Sequence, residues 1–409
     1  MNYCDRKLFL TQLFYQMYKS LFFSFLLLVS VVNPAHSQQK QDVTPNFDSH
    51  LFFRVSYGNM RVMATNDFLR TKNKAGQPIT QGQNISAEIL FQTNGKRDWH
   101  QLYHFPKFGF GIQYLWFPQT DEIGSPVATY ALFEGPIHRW KNAQLDWGFH
   151  FGVALGWNPQ NMETNPYNVL LGSTSSLYAH LGIIYQHNLT KRLGMEASLG
   201  FSHGSNGALK MPNFGINLFD PRLAFTYQLN PEKPILQPHE LAKFSPSNEL
   251  SLSYAIGTKQ IDVSASDSTN KARFGDMSFT IYNFALVYQR QISRRSKIGA
   301  GVDFTMDPSD NAHGLVVGDT NSSFPPSFSE KAKLALILSY ELSIGKLSLV
   351  LQPGFYFYRT THDPTPFFYQ RIGTRYNIYK GFYLGASLRA VNFGQADWIE
   401  LTAGYKIKF

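Results

Sequence analysis

Residues 203–217, HGSNGALKMPNFGIN, bring a histidine, a serine and three asparagines into one short stretch. Acyl transfer from an ester needs a nucleophile, a base to take its proton, a group to orient that base and donors for the oxyanion. Ser205 has the chemistry of the nucleophile, His203 of the base and Asn217 of the orienter. Asn213, or backbone N–H groups of the turn from Gly204 to Gly207, have that of the oxyanion donors. On an extended strand the Cα atoms of His203 and Ser205 lie roughly 6.5 Å apart, so a direct hydrogen bond needs the local twist that glycine permits. The same residues also read as turn chemistry, with Ser, Asn and Gly closing a polar loop. A His and a Ser two positions apart do not separate the two readings.

Strand phase decides where these side chains point. In RLGMEASLGFSHGS the apolar positions are Leu193, Met195, Ala197, Leu199 and Phe201, and Arg192, Glu196, Ser198 and Ser202 alternate with them. The return strand has the same odd phase, with Phe219, Leu223, Phe225, Tyr227 and Leu229 apolar. Continued upward, both strands carry His203, Ser205, Asn213 and Asn217 onto the apolar face. Polar groups clustered on such a face are costly unless they pair or function. A bulge at Asp220 and Pro221 would shift the phase by one residue and turn the Asp220 carboxylate outward.

The rest of the chain supplies strands to hold them. Aromatics make up 15% of the 409 residues and charged residues only 16%, yet mean hydropathy is −0.24, because apolar and polar residues alternate. That combination fits an all-β, antiparallel outer-membrane β-barrel, with an apolar face toward lipid and a polar lumen; an aromatic-rich soluble sandwich is the alternative on composition alone. From residue 50 onward about sixteen segments (12–16 within the pattern) have the length of tilted transmembrane strands. They include 84–94, 100–117, 143–157, 191–205 and 213–229. Short turns at 141–144, 188–192, 293–296, 344–346 and 379–381 alternate with longer loops such as 64–83, 158–172 and 308–328. This fixes short turns as periplasmic and puts the loop after His203 on the outer side. The Pro-rich segment 230–246 breaks the alternation and divides the chain into halves, 38–229 and 247–409. The halves end in loosely similar sequence, with Asn392 where His203 stands in the first. One barrel of about sixteen strands and two eight-stranded barrels in tandem both fit; the single barrel is the expectation.

Lys19 and the 12-residue apolar run at 21–32, followed by Ala35 and Ser37, read as a signal peptide over 1–37, with the mature chain starting near Gln38. The run is shorter than the roughly 20 residues a spanning helix needs. Cys4, the single cysteine, lies in that segment, which excludes a disulfide, a thiol nucleophile or a thiolate metal site in the mature chain. The remaining histidines, among them His100, His104, His138, His150 and His187, show no metal-ligand spacing, and no phosphate-binding glycine loop exists. No cofactor and no nucleic-acid partner is implied. The net charge of +9 suits an anionic partner such as lipopolysaccharide, although solvated loop and lumen charges give the same total.

The last segment, DWIELTAGYKIKF, alternates cleanly. Its Thr402, Gly404, Ile407 and Phe409 resemble the C-terminal signal that outer-membrane proteins present to the barrel assembly machinery. His203, Ser205, Asn206, Gly207, Pro212, Asn213 and Gly215, followed by a strand ending in Tyr, resemble the signature of the outer-membrane lipid A 3-O-deacylases, also called acyloxyacyl hydrolases. The likeness is specific over 203–229 and diffuse over 50–229, and it does not reach 247–409. It implies an eight-stranded barrel with the signature on its last two strands and the site facing lipid. It further implies an esterase acting on lipid A of lipopolysaccharide, with His203 as base, Ser205 as nucleophile and Asn213 near the oxyanion. The family's usual acid is Glu, and here it is Asn217, which holds an imidazole tautomer but lends it no charge. The competing classes are a non-catalytic barrel, a channel or structural protein keeping a relic motif, and a phospholipase-like barrel.

Overall fold

A computed structural model describes residues 50–230, 232, 234–264, 266–359, 366–392 and 394–409. The expected signal peptide, with Cys4, lies outside the described residues. Among these residues no helix is long and apolar enough to cross a membrane; they are mainly strands joined by loops and short helices.

The first half comprises β1 (His50–Val62), β2 (Gln81–Gln92), β3 (Lys107–Trp116), β4 (Gly124–Arg139), β5 (Ala143–Trp157), β6 (Ser175–Asn188), β7 (Leu193–Ser205), β8 (Ile216–Phe219) and β9 (Arg222–Gln228). Neighbours pair antiparallel from β1 through β7, and both β8 and β9 lie between β7 and β1. They are therefore two parts of one strand. The interruption falls at Asp220 and Pro221, where proline has no N–H for the ladder. Register continues across it without a shift, since Phe201 faces Phe219 and Ser198 faces Arg222. No bulge changes the phase.

The second half comprises β10 (Asn248–Lys259), β11 (Phe279–Gln291), β12 (Ser296–Met306), β13 (Ala332–Ile344), β14 (Leu347–Tyr358), β15 (Phe368–Tyr379), β16 (Phe382–Val391) and β17 (Gln395–Lys408), closed by pairing of β10 with β17. The single sixteen-stranded barrel is thereby replaced by two eight-stranded barrels in tandem. The reason is hydrogen-bond closure: β1 spends one edge on β2 and the other on β8 and β9, so no edge remains for the second half. The stretch 100–117 also begins later than its composition suggests. Asp98–Leu102 forms a helical turn, and the strand starts at Lys107. DWHQL has no period-two alternation to commit it to a sheet.

Side chains alternate as the phase requires. Along β1, Phe53, Val55 and Tyr57 are exposed on the outer face, and Arg54 and Ser56 are buried in the lumen. An eight-stranded barrel is just wide enough for side chains to fill it, and here they fill it with paired charge. Arg54 meets Glu88, Glu134 (2.6 Å) and Glu196 (2.8 Å). In the second barrel, Asp303 and Glu400 bind Arg371 and Arg389, with contacts of 2.6–3.3 Å.

The barrels are joined below by the turn after β2 and the segment between β9 and β10. Gln237 N–H donates to Asn94 O (2.8 Å), and His239 Nε2 lies 3.1 Å from Asp98 Oδ1. Tyr103 Oη donates to Ser343 O of the second barrel (2.9 Å), and the Arg295 guanidinium sits 5.5 Å from the Tyr103 ring. Burial lowers the His100 pKa to about 4, so the ring is neutral near pH 7 and its Nδ1 accepts from Gly95 N–H (3.2 Å).

Replacing Arg54 by Leu removes the guanidinium that three lumen carboxylates share, and leaves Glu134 only Lys107, 3.9 Å away. The expected cost is about 3–5 kcal/mol, read as a lower urea midpoint for loss of the folded, heat-modifiable band on a gel. An unchanged midpoint would show that the lumen network does not stabilise the barrel.

Candidate active site

Each site residue is placed by strand register. At the upper end of β7, His203 faces Asn217 of β8 on one side and Ala179 of β6 on the other. Met63, just past β1, donates its N–H to Asn217 O (2.9 Å). Met63, Asn217, His203 and Ala179 thus form one row across the outward face. His203 and Asn217 are half-buried, and their side chains join, with His203 Nδ1 2.7 Å from Asn217 Oδ1. An amide oxygen only accepts, so this contact puts the imidazole proton on Nδ1 and leaves Nε2 with a free lone pair. That is the tautomer a general base requires.

Ser205 ends β7 and is 4% exposed. Its neighbour Gly204 faces inward, where a Cβ would meet Ile216 and Trp157 at 3.3 Å, so Ser205 lies on the same outward side as His203. Both flank Gly215. A Cβ at Gly215 would stand 3.1 Å from His203 Cε1 and 3.3 Å from Ser205 Cβ, and Gly215 has φ +67°, a region that disfavours any other residue. Among the described residues no hydrogen bond joins Ser205 to His203; such contacts commonly tighten only when substrate is bound.

The turn after Ser205 is tied to the rest of its own barrel. Asn206 N–H donates to Asn213 Oδ1 (2.8 Å), and Asn206 Nδ2 donates to Lys210 O (2.6 Å) and Ser173 Oγ (3.0 Å). Gly172 N–H donates to Pro212 O (2.6 Å) and Gly215 N–H to Leu170 O (2.9 Å). Gly207 has φ +66° and is buried, and among the described residues no acceptor meets its N–H.

Below the row lies a groove of about 320 Å³ lined by Met63, Phe149, Leu181 and Phe201, with His203 and Asn217 in its wall. Phe149, Leu181 and Phe201 stand side by side on β5, β6 and β7, one outward position deeper than His203. The arrangement is an apolar trough leading to a polar row. Phase along β7 and the return strand predicts Phe201, but nothing local marks Phe149, Leu181 or Met63, which arrive from other strands through barrel closure.

Asp220 is corrected in the opposite direction. It faces the lumen, fully buried, and accepts from Asn84 Nδ2 (2.9 Å), Ser202 Oγ (3.1 Å) and the Arg222 guanidinium. With no bulge to turn it outward, it does not stand in for the missing acid. A second Ser and His pair, Ser202 with His180 Nδ1 (2.9 Å), is also lumenal. Nothing in the sequence marks it, because its partners lie on different strands. Among the described residues no group of acidic, His or Cys side chains is arranged to hold a metal.

Two family models match the chain. Residues 83–226 match "Lipid A 3-O-deacylase (PagL)" and residues 248–409 match "Acyloxyacyl hydrolase, C-terminal domain". The second match corrects the expectation that the likeness stops before residue 247. No curated protein matches the chain significantly. Solved structures that align with 88% of the chain include a mutant Rh. blastica porin (7% identity, 99% of that chain, TM-score 0.16), Pseudomonas aeruginosa OccK3 (10%, 96%, 0.20) and Acinetobacter baumannii OccAB4 (10%, 98%, 0.22). At those scores the likeness carries no argument. With the signature lying on β7 and the β8–β9 strand, the last two of an eight-stranded barrel, and with family models matching both barrels, the chain belongs to the lipid A 3-O-deacylase, or acyloxyacyl hydrolase, family.

Proposed function

We propose that this protein is an outer-membrane esterase that removes an ester-linked acyl chain from lipid A in the outer leaflet. The observation that carries the reading is the His203–Asn217 hydrogen bond of 2.7 Å, held on the membrane-facing side of the barrel beside an apolar groove. Substrate enters sideways from the bilayer. The acyl chain lies along Phe201, Leu181 and Phe149, and its ester carbonyl reaches the row of polar groups above.

Ser205 Oγ attacks the ester carbonyl as His203 Nε2 takes its proton. Gly207 N–H and Asn213 Nδ2 receive the oxyanion. Collapse of the tetrahedral intermediate breaks the ester C–O bond, and the leaving sugar hydroxyl takes its proton from His203. Water then repeats the sequence on the acyl-serine and releases the fatty acid. Asn217 keeps the imidazole in the productive tautomer through both halves but lends the imidazolium no charge.

A channel or purely structural barrel keeps the same residues without chemistry. The packed, ion-paired lumens of both barrels argue against a channel. Purified protein incubated with lipopolysaccharide should release fatty acid, detected by mass spectrometry of lipid A. Ser205→Ala should lower that rate by ~10³-fold or more. Equal rates in wild type and Ser205→Ala would sink the esterase reading, and release from phospholipid in place of lipid A would reassign the substrate.

Asn217→Glu should raise kcat, because a carboxylate stabilises the imidazolium that an amide cannot. In a serine protease the reverse change costs about 10⁴-fold, which bounds the gain. A kcat unchanged or lowered in Asn217→Glu would show that imidazolium charge is not limiting here.

A further inference from the structure

The turn that presents Gly207 is not held by the first barrel alone. Gly207 and Ala208 have consecutive positive φ values, +66° and +62°, and at Ala208 this conformation is unfavourable for a residue with a Cβ. Gln260, one residue beyond β10 of the second barrel, clasps this turn at two points. Its backbone N–H donates to Ala208 O (2.9 Å), and its side-chain Oε1 accepts from Met211 N–H (3.1 Å). Ile399 of β17 presses on the turn from the same side: a Cβ at Gly207 would fall 2.4 Å from Ile399 Cδ1 and Cγ1 and 3.6 Å from Leu388 Cδ1. Ile399 and Leu388 are register partners on β17 and β16 and are partly covered, whereas Leu401, two residues along β17, is exposed.

An oxyanion donor works only if it is aimed before the reaction begins. A turn with glycine at its centre has no intrinsic reason to stay aimed. The first barrel anchors Asn206, Lys210 and Pro212, while the second barrel touches Gly207, Ala208 and Met211. We propose that the second barrel is a buttress for the active-site turn, and that Gln260 and Ile399 are positioning residues acting through Gly207. The consequence for catalysis rests on the esterase reading above; the clasp itself does not.

The test uses the full chain in detergent micelles, with Gln260→Ala, Ile399→Ala, the conservative Ile399→Val and the exposed control Leu401→Ala. Hydrogen–deuterium exchange of peptides covering 203–213 reads the clasp independently of activity. Faster exchange in Gln260→Ala and Ile399→Ala, near-native exchange in Ile399→Val and none of the effect in Leu401→Ala are expected. Deacylation kinetics read the consequence. In the first two variants kcat should fall by ~10-fold or more with KM little changed, recovering in Ile399→Val, while all variants keep the heat-modifiable folded band. Unaltered exchange in Gln260→Ala and Ile399→Ala overturns the buttress. So does a wild-type kcat in those variants. A wild type inactive on lipopolysaccharide would remove the esterase reading and leave the exchange result to decide the clasp.

Discussion

Closure of a sheet on itself is the constraint on which everything else here depends. Each barrel ties every strand edge to a neighbour, because an unpaired backbone group in lipid is too costly to keep. Once the edges are joined, side chains have two destinations, lumen or membrane, and alternate between them without exception along a strand in unbroken register. The uninterrupted register across Asp220 and Pro221 therefore does more than close the first barrel. It sends Asn217 outward and Asp220 inward, and so settles which of two polar residues shares a face with His203.

The two faces use polar groups differently. The lumen is a packed interior in which charges survive by pairing, as Arg54 does with three glutamates and Asp303 with two arginines. On the outward face of the first barrel, at the upper rim, His203 and Asn217 satisfy one another beside a trough of Phe and Leu. A carboxylate at position 217 would place a formal charge on a surface turned toward lipid. The amide keeps the tautomer-setting hydrogen bond while avoiding that cost, at the expense of the charge that would steady an imidazolium.

The second barrel enters this picture through contact. Its own lumen is filled, and Asn392, just past β16, is an exposed residue at positive φ whose Nδ2 lies 3.4 Å from Gln395 Oε1. What it brings to the site is a wall: Ile399 and Gln260 meet a glycine turn at Gly207, Ala208 and Met211, which the first barrel holds at Asn206, Lys210 and Pro212. A barrel beside a barrel gives a loop at the rim something solid to lean on, which lipid does not.

Much of this was legible in the residues themselves. Period-two alternation gave the strands, the odd phase of Leu199, Phe201, Phe219 and Leu223 gave the membrane face, and that phase extended upward put His203 and Asn217 on it. Those are local properties, fixed by the two-residue repeat of a strand. The sequence did not determine how strands close, because edge pairing is a property of partners far apart in the chain. Two barrels of eight and one of sixteen share the same alternation. Nor did it determine whether Pro221 carried a bulge, since a proline interrupts a ladder with or without a shift of register. The trough of Phe149, Leu181 and Met63, and the press of Ile399 on Gly207, exist only after closure, when residues from distant strands come to the same height on one surface.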